Sequence, residues 1–386
     1  MSNPHRGPLD GLLVADFSRV LAGPYATMLL ADLGAEVIKV ESSGGDDTRH
    51  WVPPVRDGVG TYFLAINRNK KSVVLDLKDE KDAADARELA RRADIVIHNF
   101  KPGGLDKYGL GYDAVSAANP RAVYCSISGF GTAEGRALPG YDLLVQAMSG
   151  MMSLTGPADG DGYRAGISVF DVITGLHSVI GILAALQQRE QTGRGQLVET
   201  NLMSSAMSSM VNQTSAYVAG GVIPRRLGNG HLSLFPYEPL QTGDGELVII
   251  AGNDRQFSTL ATELGVPELV VDPRFDTVGG RNEHREELRP LLLEALSRHS
   301  ATEWFDRLTR AGLACGPIND VRGGVELAER LGLEPVVEID GVPSIRNPIR
   351  FSDAEPRYDT PPPELGQDTD DVRRWLHEEP TSTDGA

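Results

Sequence analysis

The chain has very little cysteine: Cys125 and Cys315 are the only two in 386 residues. They are far apart and in apolar settings, so neither a disulfide framework nor a cysteine metal site is expected, and a reducing, cytoplasmic setting suits the sequence. Basic charge is also scarce. Lysine and arginine number 37 against 54 aspartates and glutamates, a formal charge of -17 that repels nucleic acid and anionic membrane at long range. A polyanionic ligand must then find a local basic pocket. The most apolar long stretch, Val169 to Leu186, is interrupted by Asp171, Thr174, His177 and Ser178, and MSNPHRGPLDG lacks the apolar core of a signal peptide, so neither a membrane span nor export is expected. GxGxxG, HExxH, GxSxG and P-loop patterns are missing as well. Nicotinamide dehydrogenases, metalloproteases, α/β-hydrolases and NTPases lose their usual support, and no bound metal or nicotinamide is expected.

What is present reads as an ordinary globular protein. Hydrophobic residues make up 40% and charged residues 24% of the chain, whose length exceeds the roughly 250–300 residues at which single cores stop growing. From Leu12, LLVADFS reads as a buried strand, PYATMLLADLG as a helix begun by Pro24 and closed by Gly34, and EVIKVE as a second strand. SVVLDLK, DIVIHNF and AVYCSISGF read as further strands, separated by the helices EKDAADARELARRA and Tyr112 to Ala118. This alternation predicts an α/β fold with a doubly wound, mostly parallel, Rossmann-like sheet. A long helix follows from about Asp171 to Gln191. Gly220, Gly221 and Pro224 mark a boundary in composition, after which GELVIIAGND, QFSTLATELG, HREELRPLLLEALSRH and ATEWFDRLTRAG read as a smaller α+β unit. The expected organisation is a large domain over 1–200 completed by 345–386, a linker over 201–225, a small domain over 226–320 and a return linker over 321–344. The Pro- and acid-rich tail is expected to fray after Glu379.

Several residues stand where such a fold binds ligands. DFSRVLAGPYA forms the first strand-to-helix turn, a natural place for phosphate, although Gly23 and Pro24 also suit a plain helix start. Asn99 and Phe100 end an apolar strand at the carboxyl edge. Lys70 and Lys71 read best as a solvated turn. Asp171 opens the long helix, where it is either a structural N-cap or a carboxylate stabilised by unpaired amides, and one residue can do both. His177 is given no role.

In order, DFSRVLAGPYATMLLADLGAEVIKVE, NRNKKSVVLDLK, IHNFKPGGLDKYGL, SISGFG, GYDLLVQAMSGMMSLTG, FDVITGLHSVIGILAALQQREQTGRGQ and RLGNGHLSLFPYEPLQTGDG resemble the class III coenzyme A transferases. That family includes formyl-CoA transferase, carnitine CoA-transferase and the alpha-methylacyl-CoA racemases. The resemblance implies that Asp171 is the nucleophile and that coenzyme A lies along the carboxyl edge of the sheet, against Arg19, Ala22, Leu75, Lys78, Asn99, Phe100, Lys107 and Tyr108. It also implies an interlocked homodimer. Backbone amides near Ser128 and Gly129 and the Tyr141 hydroxyl are candidates to face the developing oxyanion or to orient the acyl group.

Racemases of this family place a histidine where PGYDLL has Tyr141. A phenol, with a reference pKa of about 10, is a poor base at neutral pH, so two-base racemization lacks a partner and CoA transfer to a carboxylic acid, short or dicarboxylic, is favoured. The alternatives are a racemase-type isomerase and a CoA-binding protein without catalysis. Some transferases carry arginine after the glutamate of the second strand. Here Glu41 is followed by Ser42, so that phosphate contact is either lost or supplied by Arg49. A lysine found in one branch is Pro139, and a glycine-rich lid has only Gly220-Gly221 or Gly228-Asn229-Gly230 to stand in for it. Arg164, Arg225 and Arg226 are candidates to pair with a distal carboxylate.

Overall fold

The structure, a computed structural model, describes residues 7–378. The tail beyond Glu379 lies outside the described residues. The chain divides into two compact units, one containing the residues up to Ser149, Ala165–Thr214 and those from Glu334 on, the other Gly150–Arg164 and Ser215–Leu333.

The first unit is built on a sheet of six strands: β1 (Leu13–Asp16), β2 (Glu36–Glu41), β3 (Lys70–Val74), β4 (Ile95–His98), β5 (Val123–Ser128) and β6 (Leu197–Asn201). Their spatial order is β3-β2-β1-β4-β5-β6, with every pairing parallel. This is the doubly wound order, and its reversal between β1 and β4 leaves a crevice beyond their carboxyl ends. Val14, Ala15, Ile95, Val96 and Ile97 are fully buried, because helices cover both faces of a parallel sheet.

The helix Glu80–Arg92 shows how local signals place these covers. Asp79 accepts the N–H groups of Lys81 and Asp82 at 2.9 and 3.1 Å, acidic residues occupy its first turn, and Arg91 and Arg92 occupy its last. Its Ala86, Leu89 and Ala90 pack in one core with Val372 and Leu376 of the C-terminal helix Thr369–His377, which completes this unit. The long helix Val169–Thr192 is apolar enough to cross a membrane by length and composition. In the structure Phe170, Thr174, Ser178, Ile182 and Leu186 are buried within the unit. Gly175 brings this helix against the first helix, Ala22–Asp32: a Cβ built there would lie 2.7 Å from the carbonyl oxygen of Ala22.

The second unit has a three-stranded antiparallel sheet in which Glu246–Ile250 lies between Tyr237–Gln241 and Ala314–Pro317. Leu247, Ile249, Phe257, Leu288, Leu292 and Trp304 form its core. Ser300 and Glu303 make a reciprocal capping box at the start of Ala301–Arg310.

Several sequence expectations change. LVETN supplies a sixth strand that its polar Glu199 and Asn201 concealed. The segment 201–225 is no plain linker: Asn201 caps Leu202–Ser209 by accepting the N–H of Ser204 at 2.7 Å, and Val211–Val218 is also helical. The segment 321–344 holds the helix Val321–Arg330, capped by Asp320, and a hairpin of Val336–Ile339 with Val342–Ile345. Lys70 is no solvated turn residue. It begins β3 and is buried, its ammonium donating to the carbonyl of Pro24 at 2.9 Å and to Asn67 Oδ1 at 2.8 Å. Lys71 is exposed and pairs with Glu36 at 2.6 Å.

Candidate active site

The crevice at the β1–β4 reversal is closed by one amide side chain. The Arg19 N–H donates to Asn99 Oδ1 at 2.9 Å, and Asn99 Nδ2 donates to the Arg19 carbonyl at 2.7 Å. His98 fixes the next residue by accepting the Phe100 N–H on Nδ1 at 3.1 Å. Burial lowers the His98 pKa to about 4, so the ring is a neutral acceptor at physiological pH.

Phe100 lines two adjoining pockets of the first unit. The outer one has Arg19, Leu75, Lys78, Phe100 and Tyr108 in its wall, together with Lys39, Glu41, Ser42 and Asp46. The inner one brings together Ala22, Asn99, Phe100, Ser128, Gly129 and Asp171. Its floor is backbone by necessity. A Cβ on Gly129 would meet Gly140 Cα at 2.5 Å, and one on Gly140 would meet Gly129 Cα at 2.8 Å, so the two glycines let the chain after β5 fold tightly on itself.

Asp171 does not cap its helix. The N-cap position is Ser168, and Asp171 is the third helical residue. The capping acceptor comes from elsewhere: Asp142 Oδ1 accepts the N–H groups of Phe170 at 2.7 Å and Asp171 at 3.3 Å. Asp142, buried and held by Gln146, was not singled out in the sequence. Burial first, and the neighbouring Asp142 charge second, raise the Asp171 pKa to about 7. The expectation that the helix start keeps this carboxylate firmly ionised is thereby corrected. It is half-buried and short of donors to compensate for the water it has lost. Tyr62 was also missed. Burial, then the charges of Asp171 and Asp142, raise its pKa and keep the phenol protonated near Asp171. The lone tyrosine of TYFLAI carries no sequence signal for this, whereas Asp142, the polar residue heading an apolar helix, carries the signal of a capping residue.

Other candidates fall elsewhere. Tyr141 is 65% exposed and in the wall of neither pocket. Lys107 also lies outside both walls, its ammonium 4.7 Å from the ring centroid of Tyr108. Arg49 is not available for phosphate: it is buried, paired twice with Glu41 at 2.9 and 2.7 Å, and donates to the Pro363 carbonyl at 3.0 Å. The cations left at the outer pocket are Arg19, 3.7 Å from the exposed Asp47, and Lys78. In the second unit, Arg226 binds the carbonyls of Pro157 and Gly160 at 3.3 and 2.8 Å. Among the described residues no group of three His, Cys, Asp or Glu is placed to hold a metal ion.

A switch-point crevice with cations at its mouth and a desolvated carboxylate at its inner end fits a nucleotide-tailed acyl donor. The chain belongs to CoA-transferase family III, whose profile matches residues 9–369. It is 40% identical to the succinyl-CoA:glutarate CoA-transferase of Mus musculus over 369 residues, 94% of this chain and 85% of that one. It is 39% identical to the acetyl-CoA:oxalate CoA-transferase of Acetobacter aceti over 359 residues, 92% of each chain. The crystal structure of a CAIB/BAIF family protein from Brucella suis is 42% identical, with a TM-score of 0.87, and covers 96% of this chain and 100% of that one. The protein is a CoA-transferase that moves coenzyme A, its co-substrate, from an acyl-CoA to a carboxylic acid.

Proposed function

We propose that Asp171 is the nucleophile of this transfer and that short dicarboxylic acids are its substrates. The observation that carries the first part is the half-buried Asp171 carboxyl in one pocket with Ala22, Ser128 and Gly129, its pKa raised to about 7 by burial and Asp142. The second part rests on the relatives, whose names pair CoA transfer with glutarate and oxalate.

The Asp171 carboxylate attacks the thioester carbonyl of the donor, and the tetrahedral adduct expels CoA thiolate to leave a mixed anhydride. The thiolate attacks the aspartyl carbonyl, which releases the donor acid as its carboxylate and leaves an Asp171–CoA thioester. The acceptor carboxylate attacks that thioester, again expelling thiolate, which attacks the acceptor carbonyl of the new anhydride to form the product acyl-CoA and free Asp171. Both anhydrides are high in energy. Contacts to the distant nucleotide, at Arg19, Lys78 and Tyr108 of the outer pocket, are the available source of binding energy to stabilise them. The backbone at Ser128 and Gly129 and the Ala22 helix start face the oxyanion. Intact-mass measurement after mixing with an acyl-CoA tests the assignment: a CoA adduct that maps to Asp171 supports it, and transfer retained in Asp171→Ala refutes it.

The enzyme is further proposed to work in the cytoplasm as an interlocked homodimer. In the first unit Tyr141, Leu143, Ile167, Leu176 and Ile180 are exposed, an apolar set that favours association. Sedimentation at micromolar concentration checks this, a monomer being the contrary result.

A further inference from the structure

The turn that joins the two pockets is held in a conformation its own residue disfavours. Val20 has φ 68°, in the left-handed region where a β-branched side chain crowds the backbone. Its N–H donates to both oxygens of Asp46, at 3.3 and 3.2 Å. Asp46 is itself immobilised. It pairs with Lys39 at 2.9 Å, both side chains having 0% exposure, and accepts the N–H and hydroxyl of Thr48 at 3.0 and 2.7 Å. The Lys39 ammonium reaches back to the carbonyl of Ser18 at 2.9 Å, and that of Lys70 binds the carbonyl of Pro24 at 2.9 Å. The turn is therefore gripped before, at and after its strained residue. Leu21, the N-cap of the helix that follows, offers no side-chain acceptor, so nothing local to the helix start replaces this grip.

Two residues on this turn divide between the pockets. Arg19 lines the outer one and Ala22 the inner one. If Val20 relaxed to an extended conformation, the chain direction would change between them, and the nucleotide contact and the helix start beside Asp171 would no longer be in register. We infer that Asp46 is a positioning residue for CoA transfer, holding Val20 left-handed so that Arg19 and Ala22 address the two ends of one acyl-CoA. The inference rests on the acyl-CoA site assigned above.

Steady-state kinetics with an acyl-CoA donor, calorimetric CoA binding and melting temperatures test it. Asp46→Ala is expected to raise KM for the donor and lower kcat so that kcat/KM falls by roughly tenfold, the order of a left-handed penalty. Adding Val20→Gly is expected to restore most of both, because glycine takes this φ without steric cost. A purely structural ion pair would give no such rescue. Unchanged KM and kcat in Asp46→Ala, or a double variant no better than the single one, would overturn the inference. If Asp46→Ala does not fold, Asp46→Asn takes its place, keeping an acceptor for the Val20 N–H while removing the charge opposite Lys39. A kcat/KM of this variant that adding Val20→Gly improves then supports the positioning role, and one that Val20→Gly leaves no better overturns it. Asp171→Ala is the control. Exchange retained there would sink the assignment of the site itself, whereas an inactive Asp171→Ala beside an unaffected Asp46→Ala would sink only the positioning role.

Discussion

Asp142 holds the backbone of the residue whose acidity it changes. Its Oδ1 accepts the Asp171 N–H at 3.3 Å and the Phe170 N–H at 2.7 Å, while its charge adds to burial in raising the Asp171 pKa to about 7. A carboxylate nucleophile acts only when ionised, so kcat/KM should climb from acid toward neutral pH and level off above an apparent pKa of about 7. Asp142→Asn keeps an oxygen for the two amides and removes the like charge. The acid limb of its pH profile should move to lower pH, and a limb that stays put or moves upward would contradict this account.

The same shift makes Asp171 a cost to the fold. Its ordinary value of 3.8 applies to the unfolded chain and about 7 to the native state, so stability is lost as pH rises between those values and stays lost above them. Asp171→Asn should therefore be inactive in transfer, by at least ~10³-fold, yet more stable than wild type at pH 8 by about 1–3 kcal/mol after allowance for its partial exposure. The advantage should shrink toward pH 4.5. Paired thermal melts at the two pH values measure it, and equal melting temperatures at pH 8 would count against a desolvated carboxylate.

The alternation of strands and helices was enough to place the parallel sheet and its carboxyl edge, because periodicity is a local property. Partners distant in sequence were not legible. Lys70 reads as a solvated turn until the carbonyl of Pro24, 46 residues earlier, is found accepting from its ammonium. Arg49 reads as a spare cation until Glu41 and Pro363 are found holding it. At Asp171 the type of residue and its place near a helix start were readable. That the cap comes from Asp142, 29 residues earlier, was not, since capping from another segment leaves no spacing rule in the chain.

Gly175 offers a test of how closely the site depends on helix packing. A Cβ there would sit 2.7 Å from the Ala22 carbonyl oxygen and 3.2 Å from Tyr25 Cδ1, and the first of these contacts is backbone that cannot swing aside. Gly175→Ala should cost roughly 1–3 kcal/mol of stability through overpacking, more than the small gain from a better helix former. Because Ala22 and Asp171 share the inner pocket, kcat should fall with it, while KM for the acyl-CoA, set largely in the outer pocket, changes less. Chemical denaturation with steady-state kinetics reads both effects. A variant as stable and as active as wild type would mean that the two helices can part without harm.

Asn99, in the wall of the same inner pocket, provides a complementary test. Its amide accepts the Arg19 N–H and donates to the Arg19 carbonyl, so one side chain ties the end of β4 to the turn after β1. Asn99→Asp keeps the acceptor and loses the donor, leaving two oxygens facing each other where a bond of 2.7 Å had been. The turn should be pushed away, and the carboxylate adds negative charge to a crevice that takes a polyanionic donor. Both effects weaken acyl-CoA binding, together raising KM by about 10- to 100-fold, whereas Asn99→Ala removes both bonds without repulsion and should raise it by about 5- to 10-fold. Raising the ionic strength should narrow the gap between the two variants, because screening acts on the charge and not on the lost bonds. A gap that is independent of salt would assign the whole effect to geometry and remove the electrostatic half of the argument.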